Sequence, residues 1–160
     1  MKVLVTGASG LLGRAVYAHF AGRDDVTVIG VANSRASDSL QQLDLLDTEA
    51  VAEKVREVSP DIIVHTAAER RPDVVEKEPQ RCQELNVDVP GRLARMASET
   101  GARIINISTD YVFDGSKPPY TVDSEPNPLN AYGTSKLLGE RAVSENGEQG
   151  KATSLRVPVL

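Results

Sequence analysis

The sequence predicts an α/β fold in which a doubly wound parallel sheet lies between two layers of helices. Three observations predict it. Short apolar runs alternate with longer segments of helical spacing along the whole chain. Hydrophobic residues make up 40% of the 160 residues while aromatics are only 4% and Trp is absent, so the core is aliphatic, as suits strands covered on both faces. A glycine-rich turn joins the first strand to the first helix. The length fits one domain over residues 1–160.

Residues 2–6, Lys-Val-Leu-Val-Thr, stop at Gly7 and read as a buried strand. Residues 11–20 follow with Leu12, Ala15, Val16 and Phe20 at helical spacing, and Gly22 ends the helix. Residues 26–31 form the second strand and residues 40–45 a weaker third. Residues 48–58 read as a helix with Thr48 as N-cap and Val51, Val55 and Val58 on one face; Pro60 stops it. Residues 62–65 are the fourth strand. The charged stretch 69–79 carries Pro72 and reads as a loop with one helical turn. Residues 80–100 read as a long helix in which Pro90 marks a kink or boundary. Residues 103–108 are the fifth strand, the proline-rich stretch 114–130 a long loop, residues 132–146 a helix, and residues 153–157 the sixth strand. Such alternation implies parallel pairing through right-handed crossovers, with ligands at the carboxyl ends of the strands.

A net charge of −5 argues against a dedicated nucleic-acid binder. Cys82 is the only cysteine, so the chain offers neither an intrachain disulfide nor a paired-cysteine metal site, and a reducing compartment is expected. The first apolar run is too short for a leader or a membrane span, which points to a soluble cytoplasmic protein without membrane partners.

The turn Gly7-Ala-Ser9-Gly10-Leu11-Leu12-Gly13 follows a strand and opens a helix, as a Rossmann dinucleotide site requires. Its glycines allow a tight turn and close approach of pyrophosphate to backbone N–H groups at the helix start. The second strand ends Val31-Ala-Asn-Ser-Arg35 without the acid that would take a ribose 2′-hydroxyl. Arg35, with Arg14 just past the last glycine, suits a 2′-phosphate, so NADP is preferred to NAD; the alternative is that both are ordinary surface charges. Asp44, followed by Leu45, offers a carboxylate to an adenine amino group or caps a helix.

Tyr132 and Lys136 stand four residues apart, on one face of a helix. A neighbouring ammonium is expected to lower the Tyr132 pKa and make it an acid–base group, while Lys136 also suits ribose hydroxyls. Ser108 and Thr109 end the fifth strand, where a hydroxyl faces Tyr132. His65, His19 and Cys82 read as packing or surface residues, and residues 73–78 as a solvated face.

With these residues the chain resembles the extended short-chain dehydrogenases. The likeness rests on the loop from Thr6 to Gly13, on His65-Thr-Ala-Ala68, on Ser108-Thr-Asp-Tyr-Val-Phe-Asp-Gly115 and on Tyr132 with Lys136; Asp44-Leu-Leu-Asp47 and Asn127-Pro-Leu-Asn130 fit as well. The Ser108–Gly115 stretch resembles the dTDP-4-dehydrorhamnose reductases. Ala67-Ala-Glu-Arg-Arg-Pro-Asp-Val-Val-Glu76, with Leu85-Asn-Val-Asp88, is similar to their relatives, the regulatory beta subunits of methionine adenosyltransferase.

The resemblance implies that Gly7, Gly10 and Gly13 hold a cofactor, that Arg14 and Arg35 select NADP, and that Ala67 and Ala68 pass under it. It implies a triad of Thr109, Tyr132 and Lys136, with Tyr132 as proton donor to a keto sugar. In the beta subunits the triad accompanies a regulatory role, binding the catalytic subunit in S-adenosylmethionine biosynthesis. It also implies a further strand and a carboxyl-terminal substrate domain, which are expected to be absent from this chain. The favoured expectation is therefore an NADP-binding regulatory subunit. The alternative is an NADPH-dependent sugar-nucleotide reductase, and a third reading is a Rossmann domain without a ligand.

Overall fold

A computed structural model describes residues 1–33 and 39–158. Six strands form one sheet: β1 (Lys2–Thr6), β2 (Thr27–Ala32), β3 (Leu40–Gln42), β4 (Ile62–His65), β5 (Arg103–Thr109) and β6 (Ala152–Val157). Every pairing is parallel, in the order β3-β2-β1-β4-β5-β6. The direction of strand addition reverses at β1. Right-handed crossovers therefore put the helix α1 (Leu11–Ala21) on one face and α2 (Thr48–Val58), α5 (Val89–Thr100) and α6 (Ala131–Asn146) on the other. The numbering leaves α3 (Pro72–Lys77) and α4 (Pro79–Gln83) after β4.

The strands alternate accordingly. Val3, Val5 and Val64 face α1 and pack with Val16, Tyr17 and Phe20. Leu4, Ile63 and Ile104 face the other way, onto Val55 of α2, Leu93 and Ala97 of α5, and Val143 of α6. At 25 cal/mol per Å², each fully buried aliphatic side chain contributes about 2 kcal/mol, which makes this second face the larger source of stability. Leu155 on the edge strand β6 remains half exposed.

Several local expectations are corrected. Asp47, not Thr48, caps α2: its Oδ1 accepts from the Ala50 N–H at 3.0 Å, leaving Thr48 as the first helical residue. The third strand ends at Gln42, because the chain turns away where Asp44 Oδ1 accepts the Leu46 N–H at 3.0 Å. The stretch read as a loop contains α3, which Pro72 opens as a residue whose missing N–H costs a first turn nothing; Val74 and Val75 are buried, so this run is not a solvated face throughout. The long helix is interrupted before Pro90 by a π-helical segment, Glu84–Asp88, where the proline removes a donor and the turn widens.

Candidate functional site

A cavity of about 820 Å³ opens at the carboxyl ends of β1, β2, β4 and β5, a volume in the range of small-molecule sites. On one side stands the turn between β1 and α1. Gly7 has φ +70°, and a Cβ there would lie 2.7 Å from the Ala67 nitrogen; a Cβ on Gly13 would collide with the Gly7 carbonyl and with Thr66 Oγ1. Only glycine lets the turn lie this close to the segment after β4. Helices α2 and α6 are capped by the Asp47 and Asn130 side chains, but α1 has Gly10 as its N-cap and no side-chain cap bond. Its first-turn N–H groups and positive dipole end therefore suit an anion from outside the chain.

The residues singled out in the sequence converge here. Gly7, Ser9, Gly10, Leu11, Leu12, Gly13 and the exposed Arg14 form one wall. Asp44 and Leu45 lie at the β3 end, Ala67 and Ala68 form the floor after β4, and Thr109, Tyr132 and Lys136 form the opposite wall. Arg35 lies outside the described residues. Asn33, which is described, lines the cavity where an acid would stand in an NAD site.

The Tyr132 wall is built differently from the glycine turn. Asn130 Oδ1 accepts the Gly133 N–H at 2.7 Å and starts α6, placing Tyr132 in its first turn. Ser135 donates its hydroxyl to the Tyr132 carbonyl at 2.8 Å. Buried Asn86, in the π-helical segment, ties this turn to the floor. Its Oδ1 accepts the Glu69 N–H, and its Nδ2 donates to the Glu69 carbonyl, both at 2.8 Å, and to Ser135 Oγ at 3.0 Å. Cys82 Sγ lies 3.3 Å from the same Nδ2, a packing role as expected.

The electrostatics correct one expectation. Burial raises the Tyr132 pKa, with Arg70 opposing and Asp110 reinforcing the rise, and Lys136 is not among the charges that move it. The phenol is protonated at neutral pH. Lys136 is almost completely buried, and that burial pushes its ammonium down to about 8 against the pull of Glu140. Ser108 does not face Tyr132 with a spare hydroxyl, because it donates to Glu140, which also holds Arg156 at 2.7 Å. Thr109 donates to Asp110 at 3.2 Å and accepts the Tyr111 N–H at 3.2 Å. His65 is buried behind the floor, bonded through Nδ1 to Thr6 Oγ1 at 2.7 Å. Its pKa is pushed down to about 3, first by burial and then by Lys136. His65 Nε2 and the Oδ1 of its strand neighbour Asn106 are both buried without a partner.

Arg70, Arg81, Leu85 and Tyr111 also line the cavity, and the sequence reading did not place them there. The Glu-Arg-Arg run at 69–71 was the available signal, but which arginine turns inward depends on the bond geometry of Glu69. Among the described residues no group of His, Cys, Asp and Glu is placed to hold a metal, and no helix is long and apolar enough to cross a membrane.

A family model described as RmlD substrate binding domain matches residues 1–160. "Methionine adenosyltransferase 2 subunit beta" from Mus musculus is 52% identical over 159 residues, covering 99% of this chain and 47% of that protein. The crystal structure of a hypothetical dTDP-4-dehydrorhamnose reductase from Sulfolobus tokodaii superposes with a TM-score of 0.88 at 35% identity, covering 99% of this chain and 56% of that one. A dTDP-4-dehydrorhamnose reductase from Bacillus anthracis, in complex with NADP, gives 0.85 at 31% identity, covering 98% and 53%. The chain thus spans about half the length of the relatives it matches.

Proposed function

The chain belongs to the RmlD substrate binding domain family, and we propose that it is the dinucleotide-binding domain of a regulatory beta subunit of methionine adenosyltransferase. In this reading it binds NADP and associates with the catalytic subunit, in S-adenosylmethionine biosynthesis and in the cytoplasm. The observation that carries it is the higher identity to proteins named as that subunit than to the reductase structures, over almost every residue of the chain. The test is to mix the protein with a methionine adenosyltransferase catalytic subunit at micromolar concentration and follow the mixture by size-exclusion chromatography. Co-elution is expected; separate elution sinks the reading.

The residues present fit a nicotinamide dinucleotide. The glycine turn and the uncapped start of α1 suit its pyrophosphate. Asn33 in place of an acid, Arg14, and the NADP held by the Bacillus anthracis relative support NADP over NAD. Equal affinity for the two in a fluorescence titration would remove that preference.

A second reading, an active reductase of a sugar-nucleotide ketone, is favoured by Thr109, Tyr132 and Lys136 on one wall. When bound, the cofactor would supply a hydride. Tyr132, kept protonated by burial, is suited to give its proton to the carbonyl oxygen. Lys136 would hold the ribose hydroxyls, and Thr109 would orient the carbonyl. NADPH oxidation with dTDP-4-dehydrorhamnose tests this, and Tyr132→Phe should lower the rate by roughly a hundredfold or more. An unchanged rate clears Tyr132 of the role.

A further inference from the structure

The chain carries a net charge of −5, yet its cavity is an island of the opposite sign. Among the described residues its lining holds Arg14, Arg70, Arg81 and Lys136 against the single carboxylate of Asp44. Arg14 adjoins the glycine turn and Lys136 belongs to the Tyr132 pair. Arg70 and Arg81 are left over, and they stand on the same lining as Tyr132 and Thr109.

Both side chains line the one cavity, and the segment that carries Arg70 treats neighbouring arginines differently. Glu69 takes Arg71 in a bidentate pair, at 2.9 Å to Nε and 2.8 Å to Nη2, on the outside of the loop. Asn86 grips the Glu69 backbone at both its N–H and its carbonyl, so the loop is held from beneath. The next side chain, Arg70, is exposed, lines the cavity and makes no hydrogen bond or ion pair among the described residues. Its charge acts on the Tyr132 phenol. Arg81 reaches the same cavity from α4, and its one ion pair among the described residues, Nε to Glu78, is stretched to 4.0 Å between half-exposed side chains. A contact that long in water holds the guanidinium weakly. Asp110, whose charge also reaches Tyr132, accepts a bond from Thr109 and lines a neighbouring smaller cavity rather than this one.

We propose that Arg70 and Arg81 form an anion site on the Tyr132 wall, which seats a phosphate or carboxylate of a second ligand beside the bound dinucleotide. The inference rests on the dinucleotide reading above. The dinucleotide's own diphosphate already has donors in the glycine turn and the start of α1. A guanidinium pair beside a protonated phenol instead recognises a ligand whose anionic group lies close to the group that Tyr132 touches. It selects against uncharged ketones and sugars, because two cations facing a neutral ligand keep their water.

The test is isothermal titration of inorganic pyrophosphate and, separately, malonate into the protein saturated with NADP+, at constant ionic strength. At least one probe should bind, and R70Q/R81Q should weaken it by about tenfold or more. The same variant should change NADP+ affinity by no more than about twofold, as should R103Q, an exposed control at the start of β5, for either probe. Thermal melts check folding; if the double variant fails to melt cooperatively, R81Q alone should still cost about threefold.

The proposal is overturned if neither probe binds, if R70Q/R81Q binds them as the parent does, if R103Q loses as much as the pair, or if only NADP+ affinity falls. If the parent binds no dinucleotide, the functional reading fails separately. Arginine-dependent binding of the probes to the ligand-free protein then still decides the site.

Discussion

The two walls of the cavity are made by different means. The glycine turn works with backbone: Gly7 and Gly13 are useful for what they lack, and the turn is complete within seven residues. The Tyr132 wall works with the Asn86 and Ser135 side chains, which clasp the Glu69 backbone and the Tyr132 carbonyl, and it holds its shape through buried amide and hydroxyl bonds. A backbone site tolerates no added atom, whereas a side-chain site tolerates no lost partner. The first kind is damaged by crowding and the second by an unsatisfied polar group.

The sharpest test of that contrast is Gly13→Ala. One methyl group must displace the Gly7 carbonyl or Thr66, so we expect a loss on the order of 4 kcal/mol in urea unfolding, together with at least about a hundredfold in NADP affinity. Asn86→Ala should come next. It removes no atom from the cavity surface but strands the Glu69 N–H and carbonyl, at about 3 kcal/mol by the same denaturation. A loss under about 1 kcal/mol would mean that water replaces the amide, and the contrast between the walls would weaken.

The smallest effect concerns the floor that both walls share. His65 is held neutral, its pKa lying near 3 against an ordinary value of 6.5. Between those values the unfolded chain binds the proton and the folded one does not, so stability falls as pH drops from 6.5 toward 3. His65→Asn should flatten that slope by about 2 kcal/mol between pH 7 and pH 4, read from urea midpoints at each pH. An unchanged slope would assign the acid sensitivity to carboxylates elsewhere.

The same contrast explains what the sequence made legible. The glycine turn could be read because its requirements are local, and the strand and helix on either side of it follow from apolar spacing alone. Parallel pairing followed from the alternation of strands and helices, whereas the order β3-β2-β1-β4-β5-β6 comes from the packed sheet. Tyr132 and Lys136 were readable as a pair on a helix, but the sign of the Tyr132 shift was not. Proximity of an ammonium argued for a lower pKa, but Lys136 does not move the phenol, and burial, which only the packed fold creates, raises it. Residues 69–79 misled for a related reason. Their charges read as solvent-facing, while Val74 and Val75 bury against a neighbour that the sequence does not name. Arg70 and Arg81 were out of reach because eleven positions and the short helix α3 separate them, with Arg81 itself inside α4.

The grip of Asn86 on the N–H and carbonyl of Glu69 restricts which residue can stand at position 86. One side chain must offer an acceptor and a donor at the separation of the N–H and carbonyl of a single residue, from a fixed point on a helix. Aspartate has the shape but would set a carboxylate oxygen against the Glu69 carbonyl; glutamine has the chemistry but one methylene too many; serine reaches only one partner. The twenty-letter alphabet thus shrinks at this position to a single letter, and it does so without that residue ever meeting a ligand.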